Sequence, residues 1–350
     1  MANNKTGAPE IRPLIDKIGF PHTLKQVEGF LKKIEEQQSD LLDAKLNTHH
    51  INAGTFWKVA ICPHDDYSYV GYLYPLVLQS VKSKVVFILA VAHKAASFNL
   101  SDDLIFDDFT LWHGIKNPIK VSGLRKTLLD KLPETLWEVH RPMQQVEHSV
   151  EAMLPLLQYY NPGVEIVPIL VPPMAFDRMK LVADELSDAL SEIAIEQKLN
   201  WGKDFSLLIT TDGVHYGDEG WSINRICKRF GVDREGYMEA IGFELGLIDD
   251  CLAGKIDEEH LRSFYAQTVD SANYQLHKWT WCGRYSVPVG LLTMRALAQK
   301  MKIPVPEGVL LDYSTSLTHE PIQVNDLDGM GTTAPATLRH WVGYPALGYL

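Results

Sequence analysis

The sequence predicts an α/β fold built as one large domain, with a largely buried central mixed sheet flanked by helices. Three observations carry this. The apolar-rich runs Val85–Val91, Val164–Val171 and Phe205–Thr211 have strand length and read as strands covered on both faces. Helical periodicities lie between them, so strand and helix alternate along the chain, which is the pattern of an α/β sheet. No linker, internal repeat or low-complexity stretch divides the 350 residues, although that length would allow two smaller domains.

In chain order, residues 1–22 hold Gly7, Pro9, Pro13 and Pro21 and read as an irregular arm. Thr23 is placed to cap a helix whose apolar positions are Leu24, Val27, Phe30, Leu31 and Ile34. Trp57–Cys62 is a strand that Pro63 stops, because proline has no N–H for the ladder. Leu73–Val81 is a short helix. Residues 101–118 are mixed and turn-rich. Leu124–Leu132 is helical. Glu147-His148-Ser149-Val150-Glu151 is expected to open a helix that continues through Met153, Leu154, Leu157 and Tyr160 and ends at Asn161-Pro162-Gly163. Phe176–Leu199 is a long amphipathic helix. Residues 222–278 show helical patterns without a clear strand. Trp279–Arg284 interrupts them, a helix follows over Val287–Lys300, and Val309–Tyr313 and Val342–Leu350 close the sheet.

The net charge of −11, from 33 basic and 44 acidic residues, argues against a nucleic-acid surface and against anionic membranes. Met1 to Phe20 holds no apolar h-region, so no signal peptide is expected. The longest apolar run, Val85–Ala92, is too short to span a bilayer. Cys62, Cys227, Cys251 and Cys282 are widely spaced with no C-x-x-C pair, which fits reduced thiols in a cytoplasm. The composition is compatible with a homo-oligomer.

Chemistry gathers where strands end. His64 follows the first strand, with Asp65, Asp66 and Tyr67 behind it. His93 follows the second, and Asp212 and His215 follow Phe205–Thr211. Ligand sites of α/β sheets lie at the carboxyl ends of the strands, so neighbouring strands would bring these groups to one edge. A polar turn with a solvated histidine is the ordinary alternative for each alone. Asp212 and His215 are three residues apart and can face one cleft as an acid–base pair, the alternative being an Asp that caps its own turn. Cys282 precedes Gly283-Arg284. A cation beside a thiol lowers its pKa, and Arg284 can hold a carboxylate or phosphate in bidentate fashion. His148, between two glutamates, is placed to orient a metal ligand rather than to bind metal itself.

These stretches resemble the MEMO family, whose fold is similar to that of the class III extradiol dioxygenases. The family's Pro-His-Ala-Gly-Tyr-x-Tyr-Ser-Gly stands here as Pro63-His64-Asp65-Asp66-Tyr67-Ser68-Tyr69-Val70-Gly71. Its Gly-Pro-Ser-His is Ala90-Val91-Ala92-His93, and its Glu-His-Ser-x-Glu matches residues 147–151 fully. Its Ser-Ser-Asp-x-x-His is Thr210-Thr211-Asp212-Gly213-Val214-His215, and its Cys-Gly-Arg is Cys282-Gly283-Arg284. Tyr313-Ser314-Thr315-Ser316 fits its closing strand. The resemblance runs from about residue 57 to the C-terminus, which sets residues 1–50 apart as arm and helix and residues 51–350 as the family's α/β domain. It implies a metal held by His64, His93 and Cys282, with Asp212 and His215 beside it. Asp65 and Asp66 replace Ala-Gly and add negative charge next to the first ligand. Asp65, Asp66, Tyr67, His148 and Arg284 complete the set expected around metal or substrate.

Two imidazoles and a thiolate suit iron(II), copper or zinc over magnesium or calcium, and the similarity to the extradiol dioxygenases, which use ferrous iron, implies iron(II) first. The leading expectation is therefore a non-heme, dioxygenase-like metal oxidoreductase acting on a small-molecule or peptide ligand. Hydrolysis by a metal-activated water with His215 as base, a non-catalytic binding scaffold using the same cleft, and a Cys282 thiol nucleophile stay open beside it.

Overall fold

The computed structural model describes residues 10–222 and 226–350. Gly7 and Pro9 of the arm, and residues 223–225 of the stretch read as helical, lie outside the described residues. The strands are β1 (Ile11–Arg12), β2 (Val59–Cys62), β3 (Val85–Val91), β4 (Leu104–Phe106), β5 (Leu111–Trp112), β6 (Ile119–Val121), β7 (Trp137–Val139), β8 (Glu165–Val171), β9 (Phe205–Thr210), β10 (His215–Gly217), β11 (Gly308–Thr315) and β12 (His340–Tyr349). The helices are α1 (Leu24–Thr48), α2 (Tyr67–Val70), α3 (Leu73–Leu78), α4 (Leu124–Lys131), α5 (Arg141–Val146), α6 (Leu154–Tyr160), α7 (Phe176–Gln197), α8 (Arg234–Cys251), α9 (Glu258–Thr268) and α10 (Ser286–Lys300).

One mixed sheet runs β1-β5-β6-β8-β3-β9-β2-β12-β10. Its centre, β6-β8-β3-β9-β2, is parallel, and β12 joins β2 antiparallel. β11 and β10 pair antiparallel with β12, and β4 links β7 to β8. Side chains alternate faces along a strand, so β3 feeds two cores. Phe87 and Leu89 join the side covered by α7 and α10. Val86, Ile88 and Ala90 join the side covered by α1, α3 and α6. Both faces are therefore buried, as the unbroken apolar runs require. No helix among the described residues is long and apolar enough to cross a membrane.

Thr23 caps α1 as expected, in a capping box with Gln26, and α1 extends to Thr48. Two stretches differ from expectation. Part of the arm is regular: β1 pairs parallel with β5, and Arg12 is buried at 1 % exposure. The guanidinium pairs with Glu151, donates to the carbonyls of Glu147 and Gln144, and lies over the Trp112 ring. Residues 147–151 do not open a helix. α5 ends at Val146, and α6 starts only at Leu154 after a short turn over Glu151–Met153. The reason is that both glutamates turn inward and spend their oxygens on buried partners rather than on a helix terminus.

Removing one member of a buried ion pair strands the other charge, at a cost of about 3–5 kcal/mol. Arg12→Ala should therefore lower the urea-unfolding free energy by about that amount. A change within about 0.5 kcal/mol, the usual effect at an uninvolved surface position, would contradict the anchoring role given to the arm.

Candidate functional site

β2, β9 and β3 are consecutive parallel strands, and each is followed at the same offset by a polar group. His64 is two residues past Cys62, Asp212 two past Thr210, and His93 two past Val91. Equal offsets from in-line strands place all three at one edge of the sheet. His64 is fully buried. Its backbone N–H donates to Asp212 Oδ1 at 2.9 Å, and its Nδ1 lies 3.1 Å from Thr210 Oγ1. That leaves Nε2 facing the site, 3.4 Å from Cys282 Sγ and 3.6 Å from Asp212 Oδ2.

Cys282 arrives from the loop before α10. A Cβ at Gly283 would collide with Thr211 Oγ1, so only glycine lets this loop reach the end of β9. Gly283 N–H donates to Thr211 Oγ1 at 3.0 Å, and Asp212 N–H donates to Cys282 Sγ at 3.0 Å. Burial, and then the Asp212 charge, push the thiol well above its ordinary range. This corrects the expectation of a thiol acidified by Arg284, whose effect is the smaller one here. A thiolate at this position calls for a cation closer than Arg284.

Glu147 holds the second histidine. Its carboxylate accepts the backbone N–H of His93, His148 and Ser149, and lies 2.8 Å from His93 Nδ1. Burial works to raise its pKa, but His93 and these donors prevail and hold it well below the usual carboxylate range. A carboxylate on Nδ1 fixes the ring and leaves Nε2 to a ligand, the arrangement common behind metal-bound histidines. His148 stacks on His93 with ring centroids 4.6 Å apart and an interplanar angle of 13°. It lies nearer a ligand position than expected: His64, His93 and His148 bring donor atoms within 4.8 Å of one another. His64, Asp212 and Cys282 form a second such group. His64 is common to both, while His93 and Cys282 fall in different groups.

The other expected residues divide. His215 Nε2 is 3.6 Å from Asp212 Oδ2, so the pair does face one cleft. Asp65 accepts the Tyr344 hydroxyl at 2.8 Å, and Asp66 accepts Thr333 N–H at 2.6 Å. Tyr67 is buried in the core, stacked on Tyr74, with its hydroxyl on the Ala152 carbonyl. It lines none of the cavities around the site. Arg284 lines one of them, together with Cys282, His93 and His215.

A buried acid that the sequence reading passed over ties the site together. Glu244 of α8 is wholly buried. It accepts the indole N–H groups of Trp279 and Trp281, the backbone N–H of Val214 at 2.9 Å and the Tyr313 hydroxyl at 3.3 Å. Trp281 adjoins Cys282 and Val214 adjoins His215, so one carboxyl group fastens both loops. Gly213 and Gly343 make room for it.

Three cavities meet this edge. One of about 450 Å³ is walled by Ile15, Asp16, Lys17, Ile18 and Phe20 of the arm and by His64, Asp65, Asp66 and His148. One of about 300 Å³ holds Asp65, Asp66, His215 and the stacked Trp221–His340 pair. The third, about 380 Å³, opens on His93, His215 and Cys282. The donor set can accept a soft or borderline cation, and Asp212 with His215 can exchange a proton with whatever sits beside it.

A family described as Memo-like protein matches residues 30–325. A MEMO1 family protein of Pyrococcus furiosus is 24% identical over 252 residues, covering 61% of this chain and 80% of the relative.

Burial raises Asp66 to about 8, Glu244 to about 7 and Asp212 to about 6, and lowers His64 well below its ordinary 6.5. An acid with a raised folded pKa binds extra protons in the folded state, so its contribution to stability falls as pH rises towards that value. A buried imidazole acts oppositely, adding stability up to about 6.5 and then levelling off. Between pH 6.5 and about 8 the metal-free protein should therefore lose stability, at most about 1.4 kcal/mol per pH unit for each group. Urea unfolding across this range checks it. Asp66→Asn should flatten the slope, and a slope that rises with pH would contradict the assignment.

Proposed function

The chain belongs to the family of Memo-like proteins, and from that premise and the shared position of His64 we propose that it binds one divalent first-row ion and acts as a dioxygenase-like oxidoreductase on a small molecule. The observation that carries this is the His64 ring, whose Nδ1 is occupied by Thr210, whose Nε2 faces Cys282 and Asp212, and which belongs to both donor groups. His64, His93 and Cys282 would hold the ion, with His148 and Asp212 as the neighbouring donors. Nitrogen and sulfur donors favour iron(II), copper or zinc. Such an ion, when bound, supplies Lewis acidity and, if redox-active, a place for electron exchange with dioxygen.

The chain's own residues do the rest. Glu147 fixes His93 and Thr210 fixes His64, so little ordering remains for binding to accomplish. Asp212 stands 3.6 Å from both His64 Nε2 and His215 Nε2. Lifted to about 6 by burial, its carboxyl can hold a proton near neutrality and pass it to His215 at the cleft wall. His64 is buried, which suits chemistry sensitive to side reactions. Four unpaired cysteines support a reducing, cytoplasmic setting. The acidic surface supports a small ligand rather than nucleic acid or an anionic membrane.

Anaerobic purification followed by elemental analysis tests the reading. One equivalent of iron or copper, with oxygen consumed on adding substrate, is the expected result. His64→Ala should abolish loading, and Glu147→Gln should weaken it by about 10–100-fold. His215→Ala should leave loading intact and lower turnover by about 10²–10⁴-fold. Zinc without oxygen consumption would redirect the account to hydrolysis. Failure to load any first-row ion would overturn it.

A further inference from the structure

The three cavities at the site differ in charge. The two on the arm and β12 sides are lined by Asp65 and Asp66. The third, about 380 Å³, has no acid among its described lining residues, and Arg284 is its one lysine or arginine. Apolar side chains, Val91, Ala95, Val171 and Pro173 among them, line it together with His93, Cys282 and His215.

Arg284 is held but not neutralised. Nη1 donates to the Trp281 carbonyl at 3.0 Å, and the guanidinium lies 4.6 Å from the Tyr285 ring centroid. Nε is buried with no acceptor, and the partners found for the rest of the guanidinium are the neutral Trp281 carbonyl and the Tyr285 side chain rather than a carboxylate. This occurs in a chain with 44 acidic residues against 33 basic ones. A buried cationic N–H without an acceptor is costly, and an acceptor supplied by a ligand would remove the cost. A guanidinium matches a carboxylate edge to edge. A phosphate dianion fits less well, because one cation would face two charges with Asp212 close behind.

We propose that this cavity binds a small monocarboxylate with an apolar or aromatic body, its carboxylate on Arg284 and its other end towards His93, Cys282 and His215. The proposal deepens the functional reading above and rests on that cleft being the ligand site.

Calorimetric titration of the metal-free protein with benzoate and with the neutral benzamide tests it. Benzoate should bind about tenfold tighter or more, the ratio that one charge-assisted pair supplies. Arg284→Gln should erase the preference, and Arg284→Lys should retain only part of it. Should Arg284→Gln fail to fold, the wild-type protein still decides: benzoate, but not benzamide, should shift the Arg284 Nε–H resonance. Equal binding of both probes, binding of neither, tighter binding of inorganic phosphate, or an undiminished preference in folded Arg284→Gln would each overturn the proposal. Metal content is measured separately. Benzoate binding without metal loading would leave this proposal standing and remove the metal reading, and metal loading without benzoate binding would remove this proposal alone.

Discussion

Asp212 is the joint on which the site depends. Its Oδ1 accepts the His64 N–H, its own N–H reaches Cys282 Sγ, and its Oδ2 stands 3.6 Å from the rings of His64 and His215. One residue thus connects the end of β2, the end of β9 and the loop before α10. The sheet makes this possible, because β9 lies directly between β2 and β3. The same carboxyl sets the electrostatics, since its charge helps keep the Cys282 thiol protonated. A cation entering among these groups, as proposed, would relieve that opposition, and its loading would then be coupled to thiol deprotonation.

A ring of buried carboxyl groups supports this joint from behind. Glu147 holds His93, Glu151 holds the arm through Arg12, and Glu244 holds the tryptophans that flank Cys282. Of these, only Glu151 has an arginine partner. Glu244 has none and relies on N–H and O–H donors. Such networks are worth their desolvation only when every acceptor is satisfied, which makes them fix geometry more than add stability. The result is a rigid rear wall with the ligand side left open, suited to precise placement of ligand atoms.

Much of this was legible from local pattern. The core strands and the polar groups at their exits follow from apolar runs ending at Pro63, Ala92 and Thr211, because strand ends are a local property. The family's motifs then named the residues that converge there. What escaped depends on distant partners. Arg12 looks like a stray charge beside Pro13, and nothing nearby reveals that Trp112 and Glu151 enclose it. Glu147 reads as a helix-opening acid because the partner that draws it inward, His93, sits at the exit of a distant strand. Glu244 did leave a trace: it falls on the stripe of Ala240, Leu247, Ile248 and Cys251, where helical spacing calls for an apolar residue. An acid on a buried stripe points to a network, although the sequence does not say which groups answer it.

The central claim is that one ion joins the histidine side of the site to the thiol side through His64. X-ray absorption at the edge of the loaded metal tests this most directly. The account predicts a mixed shell of nitrogen with one sulfur at about 2.3 Å, the sulfur disappearing in Cys282→Ser while the nitrogens remain. A shell of nitrogen and oxygen alone in the wild-type protein, or a sulfur that persists in Cys282→Ser, would contradict it.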